Sequence, residues 1–221
     1  MYEKFARCVA NKDTLGAILA FPSLPDKNRC SEETEDMTPL SYAIDRDMLD
    51  LVAPLINMGA DVNAKNIDGG VSLHHAACTG NIDIVHTMLQ TTASVNVTDK
   101  LGWTPLHCVA EPGYLEICKM LIDAGANVHL KEINANTVLH FAARNGHTSL
   151  CRLFIEAGAD LNVINKQKYT PLHLAALWDQ EDTVRMLLES GADKTITDES
   201  GRSPLQIALH RKHESLISIL E

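Results

Sequence analysis

The sequence predicts an all-α solenoid of stacked helix-turn-helix units joined by extended, β-hairpin-like turns. Three observations predict it. One motif recurs every 33 residues, a second marker recurs 21 residues into the same units, and the apolar positions between them fall at helical spacing. The motif reads TPLSYAI from Thr38, VSLHHAA from Val71, TPLHCVA from Thr104, TVLHFAA from Thr137, TPLHLAA from Thr170 and SPLQIAL from Ser203. The marker reads GADVN from Gly59, TASVN from Thr92, GANVH from Gly125, GADLN from Gly158 and GADKT from Gly191.

In chain order, residues 1–32 read as a degenerate N-terminal cap around CVANKDTLGAILAF. The stretch from Pro22 to Met37, with SEETED, reads as an acidic exposed loop. Full repeats are expected over 33–65, 66–98, 99–131, 132–164 and 165–197, and 198–221 reads as a C-terminal cap repeat. Arg211, Lys212 and Glu214 supply the polarity that a terminal repeat needs for solubility.

The repeat at 165–197 shows the logic of a regular unit. Thr170 caps a first helix, and Pro171 takes its first position, where a missing N–H costs nothing. Leu172, Ala175 and Ala176 share one face, and the alanines let two helices approach closely. Val184, Leu187 and Leu188 form the stripe of a second helix, which Gly191 ends in a left-handed conformation. Asp198 and Gly201 then mark a turn. No unit can bury its apolar face alone, so the units must stack. Three departures are expected to perturb this pattern. Pro54 should bend or loosen its helix, Thr92 should be strained where other units carry glycine, and Glu111-Pro112 should end a first helix early.

The 33-residue unit with T-P-L-H-x-A resembles the ankyrin repeat family. The resemblance implies a non-catalytic protein-protein interaction scaffold that binds a partner through a concave groove built from turns and first helices. It also implies variable contact positions four, three and one before the motif threonine, and seven and eight after it. In this chain those positions hold Met37, Ile67, Leu101, Trp103, Ile133 and Tyr169. Leu177 and Trp178 belong to the same set, as do the bases Arg144, Lys166, Arg202 and Arg211. Trp103, Tyr169 and Trp178 are the expected anchors, since tryptophan and tyrosine dominate binding hot spots. In the last three units these positions carry one acid and four bases, which suits a protein partner with an acidic stretch facing them. Length and unit number also resemble gankyrin, a proteasome assembly chaperone of this family. A further alternative is the ankyrin domain of a larger signalling adaptor or pathogen effector. The family's asparagine hydroxylation pattern fits Asn63, which has Leu55 eight residues before it.

The histidines test the competing class, an enzyme or metalloprotein. VSLHHAACTG places His74 and His75 close to Cys78. Yet His74 aligns with His107, His140 and His173, so it serves the repeat; in the family this histidine ties neighbouring turns together. No set of three or four converging zinc ligands is evident, and no Gly-rich phosphate loop, G-x-S-x-G or H-E-x-x-H occurs. No catalytic residue, metal ligand or cofactor is expected. The net charge of −10 argues against nucleic acid and against anionic membrane surfaces. No apolar run reaches the roughly 20 residues of a membrane span. Six scattered cysteines without a CxxC, and no secretory signal in MYEKFARCVANKD, suggest reduced thiols in the cytosol or nucleus. A monomer is expected.

Overall fold

A computed structural model describes residues 1–221. It contains fourteen α-helices, two short 3-10 helices and no strand. The helices come in pairs: α1 (Tyr2–Ala10) with α2 (Thr14–Ala20), α3 (Pro39–Asp45) with α4 (Leu49–Asn57), and α5 (Ser72–Thr79) with α6 (Ile82–Leu89). The pairs continue with α7 (Pro105–Ala110) and α8 (Leu115–Asp123), and with α9 (Val138–Arg144) and α10 (Thr148–Glu156). Last come α11 (Pro171–Leu177) with α12 (Glu181–Glu189), and α13 (Pro204–Arg211) with α14 (Glu214–Leu220). The chain divides into two compact halves, Met1–Pro105 and Leu106–Glu221. In the first, α3 packs on α5 and α4 on α6; in the second, α9 and α13 flank α11, and α10 and α14 flank α12.

The capping residues act as their types require. The hydroxyls of Thr38, Thr170 and Ser203 accept the N–H of the third helical residue of α3, α11 and α13, and proline opens each of those helices. Gly191 has φ +92° where α12 ends. As expected, α7 stops before Glu111-Pro112. The alanines 76, 142, 143, 175 and 176 are fully buried.

The connecting turns are hairpin-shaped without being strands. The N–H of Asp99, Glu132, Asn165 and Asp198 each donates to the carbonyl four residues on, at 2.9–3.0 Å. A side chain pins each turn from inside: Asn165 Oδ1 accepts from Gln167 and Tyr169, and Asp198 Oδ1 accepts from Ser200 and Arg202. Glu132 does the same work with a longer side chain. Its carboxylate accepts from the Asn136 N–H and from the side-chain amides of Asn134 and Asn136. Fingers of one half are also joined backbone to backbone, Lys100 to Asp68 at 2.8 Å and Lys166 to Asn134 at 3.0 Å.

The same position in each turn is left-handed, namely Asp36, Gly69, Gly102, Ala135, Lys168 and Gly201, and in the first turn Glu35 is left-handed as well. Alanine has no polar side chain to offset that conformation, and Ala135 sits at φ +64°. Ala135→Gly should therefore stabilise the protein by about 0.5–1 kcal/mol in urea unfolding. A loss of stability instead would mean that the backbone freedom gained in the unfolded chain outweighs the relief.

Three expectations need correction. Thr92 is not left-handed, and no residue between Gly80 and Gly102 has a positive φ. Its neighbour explains why: the Thr91 hydroxyl donates to the Met88 carbonyl at the end of α6 and accepts the Ala93 N–H at 3.2 Å. A side-chain cap replaces the glycine turn. Pro54 does not break α4, which runs for 9 residues like α8, α10 and α12. The missing N–H is tolerated because Leu51, Val52 and Leu55 are fully buried and hold the helix in place. The acidic loop, finally, is only partly exposed. It includes the end of one 3-10 turn, Phe21–Ser23, and all of another, Glu32–Thr34, and it buries Leu24 and Thr34 while Glu32, Glu33, Glu35 and Asp36 are exposed.

Candidate functional site

The motif histidines act as a relay between consecutive turns. At His140 the Nδ1 atom accepts the Thr137 N–H at 3.1 Å, so the ring proton lies on Nε2. That nitrogen donates to the Tyr169 carbonyl at 3.0 Å. His173 accepts from Thr170 and donates to the Arg202 carbonyl, and His74 accepts from Val71 and donates to the Trp103 carbonyl. Both ring nitrogens are committed to the backbone in each case. Burial pushes all three below the ordinary histidine range, His140 to about 4. His147 and His213 tie the inter-helix turns in the same manner, bonding the carbonyls of Glu111 and Ala176.

The remaining features of the HHAAC stretch diverge. His75 bonds the Asn66 side chain at 3.1 Å. Cys78 is exposed. No three His, Cys, Asp or Glu side chains converge as a metal site. Cys118 and Cys151 are buried on the stripes of α8 and α10, and burial pushes both thiols up to about 12. They are small core hydrophobes in protonated form.

A recess in the C-terminal half is the strongest candidate for a binding site. It measures about 220 Å³ and lies between α9, α11 and the turns that precede them. Phe141 and Leu174 form its floor, 5% and 8% exposed. Tyr169 and Trp178 rise as walls, and Trp178, which follows the last residue of α11, is 57% exposed. Arg144, Gln167, Asn136, Asn165 and His140 complete the lining. The turn bonds position the polar members: Asn165 is pinned to Asn136 through their amides at 2.8 Å.

The structure thus brings Tyr169, Trp178 and Arg144 together, while Leu177 is half-buried beside Trp178 and Lys166 and Arg211 are exposed. Ile133 stands exposed on the turn before α9. In the N-terminal half, Ile67 and Leu101 are exposed at turn tips, and Met37 and Trp103 are half-buried at the ends of their turns. Two of the four bases have carboxylates already. Arg144 pairs with Glu111 at 2.6 Å and lies over the Phe141 ring, and Arg202 pairs with Asp198 at 2.8 Å. Phe141 and Leu174, four residues after the motif threonine, were not among the expected contact positions. The signal was present in the sequence: that position reads Tyr42, His75, Cys108, Phe141, Leu174 and Ile207, too variable for a pure packing site.

Asn63 belongs to the second marker. Its amide donates to the Thr92 carbonyl and its oxygen accepts the Ser94 N–H at 2.8 Å. Asn162 repeats part of this bridge with Asp193.

No helix is long and apolar enough to cross a membrane. No curated protein matches the chain. The family model described as ankyrin repeats (3 copies) matches residues 40–132 and again 110–198. With the helix pairs, the capped motif and the histidine relay, this match places the chain in the ankyrin repeat family.

Proposed function

We propose that this protein is a non-catalytic scaffold that holds a partner protein on the face formed by its turns and first helices. Ankyrin repeats are in general protein-protein interaction modules, and this chain follows their architecture. The observation that carries the reading is the recess walled by Tyr169 and Trp178. An indole 57% exposed beside a buried apolar floor is poorly explained by folding alone. Leu101 and Trp103 hold corresponding register positions in the N-terminal half. Lys166 and Arg211 are the bases open to an acidic partner, since Arg144 and Arg202 are partly neutralised. Reduced thiols fit a cytosolic or nuclear protein, and the core cysteines 118 and 151 need no oxidant to be stable. Hydroxylation of Asn63 is a separate proposal; it would require the bridge to Thr92 and Ser94 to open, and mass spectrometry of cellular protein would detect the added oxygen.

Binding and melting temperature should be measured together for partners captured on the full chain. Trp178→Ala is expected to weaken binding at least about 30-fold with little change in melting, a hot-spot loss of about 2 kcal/mol. Glu189→Ala, at the end of α12 and away from the recess, should leave binding unchanged. Normal binding by the tryptophan variant would move the site elsewhere, with the 31–36 segment next in line.

A further inference from the structure

The recess has a chemistry more specific than that of a generic contact surface. Its floor is apolar and nearly closed, its two open walls are aromatic, and its rim carries positive charge. A cavity of about 150 Å³ lined by aliphatic and aromatic groups is large enough to take benzene. The recess here is about 220 Å³, so it has room for an aromatic ring and the first atoms of its side chain. Trp178 and Tyr169 present ring surfaces for stacking, whereas the Phe141 face is already covered by the Arg144 guanidinium at 5.2 Å. A cationic occupant would meet that guanidinium, which disfavours lysine or arginine.

The rim points to the flanking residues. Arg144 uses Nη2 on Glu111 and Nε on Asn145, which leaves the Nη1 donors for a second carboxylate. Lys166 and Lys168 are both exposed on the turn that carries Gln167 and Tyr169, and neither is engaged in an ion pair. Arg144 is the one charged residue that lines the recess, and the turn 165–169 adds two lysines and no acid, in a chain whose net charge is −10. This local inversion matches an acidic segment and repels a basic one.

We propose that the recess receives one aromatic side chain of the partner, carried in a segment with carboxylates on both sides. This rests on the binding reading above and narrows it to a ligand class. The test uses the full chain and three fluorescein-labelled, end-blocked peptides. The first is Gly-Asp-Glu-Phe-Asp-Glu-Gly, the second has Ala for Phe, and the third has Lys at every acidic position. Binding is read by polarisation and by the shift of the Trp178 indole N–H in NMR spectra. The acidic phenylalanine peptide should bind at least tenfold more tightly than either of the others and should shift the Trp178 signal. Trp178→Ala should weaken it at least tenfold, and Lys166→Glu with Lys168→Glu should erase its advantage over the lysine peptide. Equal binding of the three peptides, or none up to millimolar concentration, would overturn the proposal. If captured partners still depended on Trp178 in that event, the binding surface would stand and only its ligand class would fall.

Discussion

Gly113→Ala is expected to destabilise the protein by about 3 kcal/mol, enough to matter in a fold whose total stability is some 5–15 kcal/mol. The position recurs in every unit as the left-handed residue between paired helices. Asp47, Asp179 and Lys212 occupy it elsewhere at φ 57–61°, so left-handedness alone does not demand glycine. Gly113 differs in two ways. Its φ is +92°, outside the well those residues use, and a Cβ there would lie 2.7 Å from the His147 ring. The ring cannot easily retreat, because its Nε2 bonds the Glu111 carbonyl at 2.9 Å, which also accepts from Asn145. Strain costs about 1 kcal/mol, and displacing a packed, hydrogen-bonded ring adds about 2 kcal/mol. A double-mutant cycle separates the two. In a His147→Ala background the same change should cost only about 1 kcal/mol. An equal cost in both backgrounds would place the whole penalty in the backbone.

The second large effect is acid lability through the histidine relay. His140 titrates near 4 in the folded chain and near 6.5 when unfolded. Its folded pKa is depressed, so between those values the unfolded chain binds a proton that the folded chain refuses. Stability is therefore fully present above about pH 6.5 and declines as pH falls towards 4, by about 3 kcal/mol from this residue alone. His74 and His173 act in the same direction. The mechanism is visible in the bonding: a proton on Nδ1 would face the Thr137 N–H donor that it now accepts. The chain itself suggests the control. In the last unit Gln206 replaces the histidine, and its Oε1 accepts the Ser203 N–H at 2.7 Å. His140→Gln should keep the cap and lose the link to Tyr169, costing about 1–2 kcal/mol at pH 7. Near pH 4.5 that deficit should vanish or reverse. Chemical denaturation at both pH values decides it, and an unchanged deficit would mean that another group carries the acid sensitivity.

Much of this was legible in the sequence because repetition turns chemistry into register. The threonine caps, the first-position prolines and Gly191 each have one conformation that suits them, and the chain places them there every 33 residues. Recurrence of His74, His107, His140 and His173 also distinguished a structural group from a ligand cluster. What escaped the sequence was side-chain direction. Register cannot reveal that the Thr91 hydroxyl replaces a glycine turn, or that Arg144 leans onto Glu111 and Phe141 rather than outward. The variability of the position that holds Phe141 and Leu174 was visible, but not that these two side chains floor a recess.

The relay has a kinetic corollary. The side-chain bonds from one helix pair to the next span similar stretches of chain, 29 residues from His140 to Tyr169 and 37 from Ala176 to His213. Loop-closure entropy depends on that span and only weakly on its exact length. Each added pair therefore closes a loop of nearly constant size, and the mean sequence separation of contacts does not grow as the stack lengthens. Nucleation has no obligatory starting point within a half, and growth proceeds by short, equal steps. A weakness confined to one pair then slows only the step in which that pair docks.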